Sequence, residues 1–357
     1  MINALFALVL TMLLVVGIHE AGHAICARFF GVKIRRVSIG FGKTLFSRKD
    51  KAGREWSWAL WPLGGYVHLL NSRSEEVSEN DYSQCFDKKP IWQRCLILIA
   101  GPLANLLAGF LALTLMYMLG FKQQIPLIKD IRPHTIASVA GLRAGERFIS
   151  IDSNNTNSWP EVGMSLIMGL GKKDLPIVVI NNLGLIRQVN FDLSQWKYKK
   201  GDQSLLAALG IKPEPTNLYT QQVPGQSLHL AAASAISKIL FLLKFFVLML
   251  KQLFTHKIPF IVLLGPLGLF EATVSSFLQG LAVFLNFIAS FSLAVGFINL
   301  LPIPSLDGGS LVYALVEKFR GKPVSVAFEL LLHRFAFILF AILLVQLILN
   351  DLQRYFS

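Results

Sequence analysis

The run from Ile2 to about residue 27 is apolar and long enough to cross a bilayer, yet it contains His19-Glu20-Ala21-Gly22-His23. In lipid the segment must satisfy its own backbone hydrogen bonds, so it has to be a helix. On a helix the two imidazoles fall one turn apart on one face, with a carboxylate beside them. Ionisable groups at that depth are expensive and are kept for chemistry. The spacing is that of two metal-ligating histidines and the general base of a zinc hydrolase.

The chain has 357 residues, 54% hydrophobic and 15% charged, which is a membrane composition. Spans are expected at about 3–27, 95–120, 281–303 and 335–350. A further apolar segment, 228–270, is interrupted by Lys238, Lys244, Lys251, His256, Lys257 and Pro259. Its 228–258 part reads as an amphipathic or interfacial helix. Between 121 and 225 the pattern changes to short strand-like runs with turns, the signature of an extramembrane domain. The fold class expected is a polytopic α-helical membrane protein of about four spans. It carries a membrane-associated β-hairpin region and an inserted α+β domain. The boundaries that follow are 1–120 for the first half of the membrane core, 121–225 for the inserted domain, 226–280 for the interfacial helical region and 281–357 for the second half.

A net charge of +13 would suggest nucleic acid in a soluble protein. Here the basic residues flank spans and meet anionic headgroups, so the partner is the bilayer and no nucleic acid is expected. The loop from Arg28 to Arg94 carries 13 Lys/Arg, which places it in the cytoplasm and the N-terminus outside. Residues 2–18 lack the basic start of a cleaved secretory signal, so a retained first span is expected. Cys26, Cys85 and Cys95 form no CxxC pair, and neither a disulfide framework nor a cysteine metal site is indicated.

The alternating, aromatic stretches Arg35–Gly42 and Glu55–Trp61, followed by Pro62-Leu63-Gly64-Gly65-Tyr66-Val67-His68, read as β-hairpins, either dipping into the interface or forming a small cytoplasmic sheet. The second span opens with Ala100-Gly101-Pro102-Leu103-Ala104-Asn105. Small residues there permit close helix approach, and Asn105 reads as packing glue bonded to a neighbouring helix, with a role in orienting the metal site as the other reading. In the inserted domain, Ala137–Asp152 looks like the helix, glycine turn and strand of a PDZ domain, with Glu146 in place of the usual Asp. Such domains add a peptide strand to a sheet edge, and a rigid filter that binds no terminus is the alternative. The third span ends in Asn299-Leu300-Leu301-Pro302-Ile303-Pro304-Ser305-Leu306-Asp307-Gly308-Gly309. Its two prolines break the helix, and non-helical backbone at that depth lines a cavity or lies buried in protein. Asp307 follows that break as the candidate third ligand.

Taken together, the pentad, Gly64-Gly65-Tyr66-Val67, Ala100–Asn105 and the Asn-x-x-Pro-x-Pro-x-x-Asp-Gly stretch resemble the site-2 protease family of intramembrane zinc metalloproteases. Within it the chain resembles the bacterial regulator-of-sigma-E type, with one PDZ-like domain where the enterobacterial relatives have two. The resemblance implies Zn2+ held by His19, His23 and Asp307, with Glu20 activating the attacking water. It implies that Gly64, Gly65, Tyr66 and Val67 lie on a membrane-reentrant hairpin beside the substrate path, and that Asn299 contacts the unwound substrate. The substrates it implies are single-span membrane proteins such as anti-sigma factors or remnant signal peptides. The expected location is the bacterial inner membrane, with the PDZ-like domain periplasmic and the active site near the cytoplasmic side. A transporter would share the broken helices and intramembrane polar groups, but no inverted repeat is visible.

Overall fold

The computed structural model describes residues 2–50, 53–198, 204–214, 219–260 and 263–356. Among the described residues, five helices are long and apolar enough to cross a membrane: Ile2–Phe29, Ile91–Leu119, Leu228–Phe254, Leu281–Asn299 and Val326–Arg354. Leu228–Phe254 is the segment expected as an amphipathic or interfacial helix. Nothing between Leu228 and Phe254 is Gly or Pro, so the helix runs unbroken through its lysines.

The first helical run consists of α1 (Ile2–Met12), a π turn over Leu13–Gly17 and α2 (Ile18–Phe29). The π turn, a feature frequent at functional sites, immediately precedes the pentad. Two long antiparallel strands follow, β1 (Ile34–Lys49) and β2 (Glu55–Leu69). Their register is irregular. Val37, Ser38 and Ile39 pair with Val67, Tyr66 and Gly65 on one side and with Trp56, Ser57 and Trp58 on the other, while Phe46–Lys49 also pair with Trp58–Glu55. The ribbon thus folds over itself into a small sheet with Gly65–Leu69 along one margin. At Gly65 a Cβ would lie 2.6 Å from the Ser38 carbonyl oxygen, so glycine permits the close pairing.

Helix α3 (Ile91–Leu119) starts earlier than the apolar run suggested, and Arg94 near its start is buried. Its guanidinium donates to Glu317 at 2.8 Å.

The β-rich unit comprises Tyr117–Leu230 with Leu240–Leu263. It contains β3 (Phe121–Gln124), β4 (Ile128–Ile131), α4 (Ile136–Val139), β5 (Arg147–Ile151), β6 (Asn154–Asn155), α5 (Trp159–Gly169), β7 (Leu175–Ile180), β8 (Ile186–Phe191), α6 (Leu205–Leu209), β9 (Ile211–Pro213) and β10 (Thr220–Val223). The order β6-β5-β7-β8 forms its main sheet, and β4–β9 and β3–β10 are separate antiparallel pairs. Asp152 and Ser153, both at positive φ, make the tight turn from β5 to β6. Glu146 is buried and bonds bidentately to Arg187 at 2.6 and 2.8 Å, an ion pair inside the domain. The core of this unit includes Phe148, Ile151, Leu166, Ile177 and Phe191. It also includes Leu253 and Ile258, from the end of α7 (Leu228–Phe254) and just beyond it.

The other unit comprises Met1–Met116, Ala231–Ile239 and Leu264–Ser357. Its later helices are α8 (Pro266–Leu278), α9 (Leu281–Asn299), α10 (Asp307–Arg320) and α11 (Val326–Phe356). The N-terminus of α8 is capped by Asp351 of α11, which accepts the N–H groups of Gly265, Leu267 and Gly268 at 2.9, 2.9 and 3.0 Å. A buried carboxylate at a helix N-terminus is a strong staple.

Candidate metal centre

Three donor atoms from two distant stretches converge. His19 Nε2 and His23 Nε2 lie 3.2 Å apart. Asp307 Oδ2 lies 3.1 Å from the first and 3.2 Å from the second. Donors bound tetrahedrally at about 2.0–2.1 Å stand about 3.3 Å from one another, so this triangle has the dimensions of three corners of a zinc site. Two imidazoles and one carboxylate are also the donor set of a catalytic zinc that keeps its fourth position open. Among the described residues this is the one cluster of His, Cys, Asp or Glu able to hold a metal ion.

Backbone geometry delivers each donor. Residues 19 and 23 are a turn apart on α2, with their rings edge to face at 84°. His23 donates its other nitrogen, Nδ1, to the Ile97 carbonyl of α3 at 2.7 Å, which leaves Nε2 for a metal. Helices α2 and α3 come this close because two glycines face the contact. A Cβ on Gly22 would lie 2.5 Å from the Ala100 oxygen, and one on Gly101 would lie 2.6 Å from His23 Cε1. Asp307 opens α10 after Pro302 and Pro304, with Ser305 at φ 77°. Gly308 and Gly309 let the carbonyls of Leu300, Leu301 and Ile303 pack directly on the first turn of α10.

Glu20 is placed by a different element. Its Oε2 accepts the backbone N–H of Val67 at 2.9 Å, so the margin strand of the ribbon holds the carboxylate. Around it lies a cavity of about 300 Å³ whose wall is almost wholly apolar. Gly64, Gly65 and Val67 line it together with Glu20 and residues of α1 and α2 such as Met12 and Val16.

The remaining candidates are placed otherwise. Tyr66 is not part of the cavity lining. The Asn299 amide donates to Val295 O of its own helix at 3.1 Å. Asn105 is fully buried, but its side-chain amide bonds to no neighbouring helix among the described residues, contrary to its reading as packing glue. Two participants escaped sequence reasoning, the Ile97 carbonyl and the Val67 N–H. Both are main-chain groups, which leave no trace in residue identity.

The chain matches Peptidase family M50 over residues 7–343. It is similar to protease RseP of Yersinia pestis, at 29% identity over 98% of both chains. The regulator of sigma E protease of Haemophilus influenzae is 28% identical over 98% of this chain and 99% of its own. A putative zinc metalloprotease of Vibrio cholerae is 26% identical over 98% of both. A match of that extent, on a chain rich in spanning helices, shows that this protein belongs to Peptidase family M50, the site-2 proteases, and is a zinc-dependent metalloprotease of the multi-pass inner-membrane type.

Proposed function

We propose that the protein hydrolyses peptide bonds within or next to the transmembrane segment of single-span membrane proteins, with zinc held by His19, His23 and Asp307 and with Glu20 as general base and acid. The observation that carries this is the triangle of donor atoms with Glu20 of the same helix turned to the ribbon and an apolar cavity.

Zinc in such a donor set acidifies a water and polarises a carbonyl. Glu20 takes the proton of the attacking water and returns it to the leaving amine. Its tether to Val67 keeps the carboxylate from swinging away between those two transfers. The apolar cavity accepts side chains from a segment that has left lipid. A helical peptide bond is shielded, so the substrate must be extended first. The Gly64–Val67 strand offers main-chain partners for that extended form, and Asn299 a side-chain amide.

The basic Arg28–Arg94 loop supports a site near the cytoplasmic side, with the β-rich domain periplasmic. That domain acts as the PDZ-like module that meets substrate ectodomains. The alignment with the Yersinia pestis protease runs over 444 positions against 357 residues here, which supports one such module rather than two. Helix α7 does not span. From Leu240 onward it belongs to the β-rich unit, and the stretch before Leu240 rises about 18 Å, short of a hydrocarbon core of about 30 Å. Sigma-factor regulation in the relatives' names makes anti-sigma factors the first substrates to try, and remnant signal peptides the second.

The test is cleavage of a panel of single-span reporters in membranes by the wild type and by Glu20→Gln. The variant should retain one zinc per chain and lose proteolysis. Cleavage by Glu20→Gln at the wild-type rate would refute the assignment of the base. Full zinc retention by Asp307→Ala would refute that of the third ligand.

A further inference from the structure

The surroundings of the two histidines are unequal. His23 Nδ1 is served by the Ile97 carbonyl. His19 Nδ1 is buried and has no hydrogen-bond partner among the described residues. A ligating imidazole gives its second N–H to an acceptor, which fixes the tautomer and the plane of the ring. Another buried side chain of the same core has the complementary lack. Asn105 is 0% exposed, and both its amide oxygen and its amide nitrogen are without a partner among the described residues.

Helix register brings the two to one level. Gly22 packs against Ala100 and Ala104, and His23 against Ile97 and Gly101, so a step back along α2 is a step forward along α3. One turn back from His23 is His19, and one turn forward from Gly101 on the same face of α3 is Asn105. Helix α9 closes the far side. A Cβ on Gly296 would lie 3.2 Å from Asn105 Cβ, and Ser292 Oγ donates to the Asn105 main-chain oxygen at 3.1 Å. The backbone of Asn105 is thereby held while its amide stays uncommitted.

We propose that Asn105 is the positioning partner of His19. Its side-chain oxygen accepts the His19 Nδ1–H across one water and turns Nε2 toward the metal, as Ile97 O does for His23. This rests on His19 being a zinc ligand.

The test uses the full chain, purified in detergent and freed of metal. Zinc affinity is read by chelator competition, and site geometry by the visible absorption of the cobalt(II) form. Asn105→Leu keeps the branched four-atom skeleton and removes the acceptor, whereas Asn105→Asp keeps an acceptor oxygen. Asn105→Leu should weaken zinc binding about 10–100-fold and alter the cobalt spectrum. Asn105→Asp should stay close to wild type in both. Asn105→Ala carries the same comparison if the leucine variant does not fold. Wild-type affinity and spectrum in an acceptor-free variant would overturn the proposal, as would equal losses in the leucine and aspartate variants. Should His19→Ala bind zinc as tightly as wild type, the ligand assignment itself fails, which the Asn105 variants alone cannot mimic.

Discussion

Gly101→Ala separates the stability of α3 from the integrity of the metal site. In the interior of a helix, alanine is favoured over glycine by about 1 kcal/mol, so the substitution strengthens α3 taken alone. In this structure the new Cβ would lie 2.6 Å from Cε1 and 2.8 Å from Cδ2 of His23, and closer still to Nε2. Carbon atoms in comfortable contact are about 3.5–4.0 Å apart, so the ring has to retreat by about 1 Å. Its retreat is opposed by the bond to the Ile97 carbonyl at 2.7 Å. Metal–ligand distances tolerate about ±0.2 Å, so a shift of that size removes Nε2 from coordination. Zinc affinity should fall at least about 100-fold, or roughly 2.7 kcal/mol, with proteolysis falling alongside. Chelator competition on the purified variant reads the affinity, and thermal unfolding of the metal-free form reads the helix. Gly109→Ala, on the same helix, is the control. Its Cβ would meet Leu293 Cγ at 2.9 Å and should disturb packing while leaving zinc untouched. If Gly101→Ala binds zinc within threefold of wild type, the reasoning from the α2–α3 contact is wrong.

Two further outcomes are expected. Asp351→Ala removes the acceptor of three N–H groups at the start of α8 and should lower stability by about 2–4 kcal/mol, with Asp351→Asn recovering part, as read by thermal unfolding in detergent. Gly65→Val pushes the margin strand off Ser38 and should slow reporter cleavage while leaving one zinc per chain, and unchanged turnover would remove the ribbon from substrate handling.

Much of the site was legible because lipid narrows the alternatives. A pentad with two histidines a turn apart can only be helical at that depth, and a Pro-x-Pro break followed by Asp307-Gly308-Gly309 marks backbone that must line a cavity or be buried. The strands of the ribbon were legible from alternation, but not their doubled pairing, because Val37–Ile39 take partners on both sides and register depends on which turns form. Helix ends were harder to read where charges fall near them. Arg94 looked like a boundary, yet its pairing with Glu317 lets α3 continue through it. The helix expected at 228–258 is present and unbroken to Phe254, since a long lysine stem can lie along apolar surface with its amine elsewhere.

The polar residues of the centre are tolerated at that depth because each is held by an element other than its own. His23 is held by a carbonyl of α3, Glu20 by an N–H of β2, and both imidazoles converge on a carboxylate of α10. No single helix hairpin contains those partners, and the donor triangle needs α10 beside α2. The same dependence explains the glycines at 22, 65, 101, 308 and 309. At each of them a Cβ would run into a main-chain oxygen or the His23 ring, and at that point the partner element could no longer reach the centre.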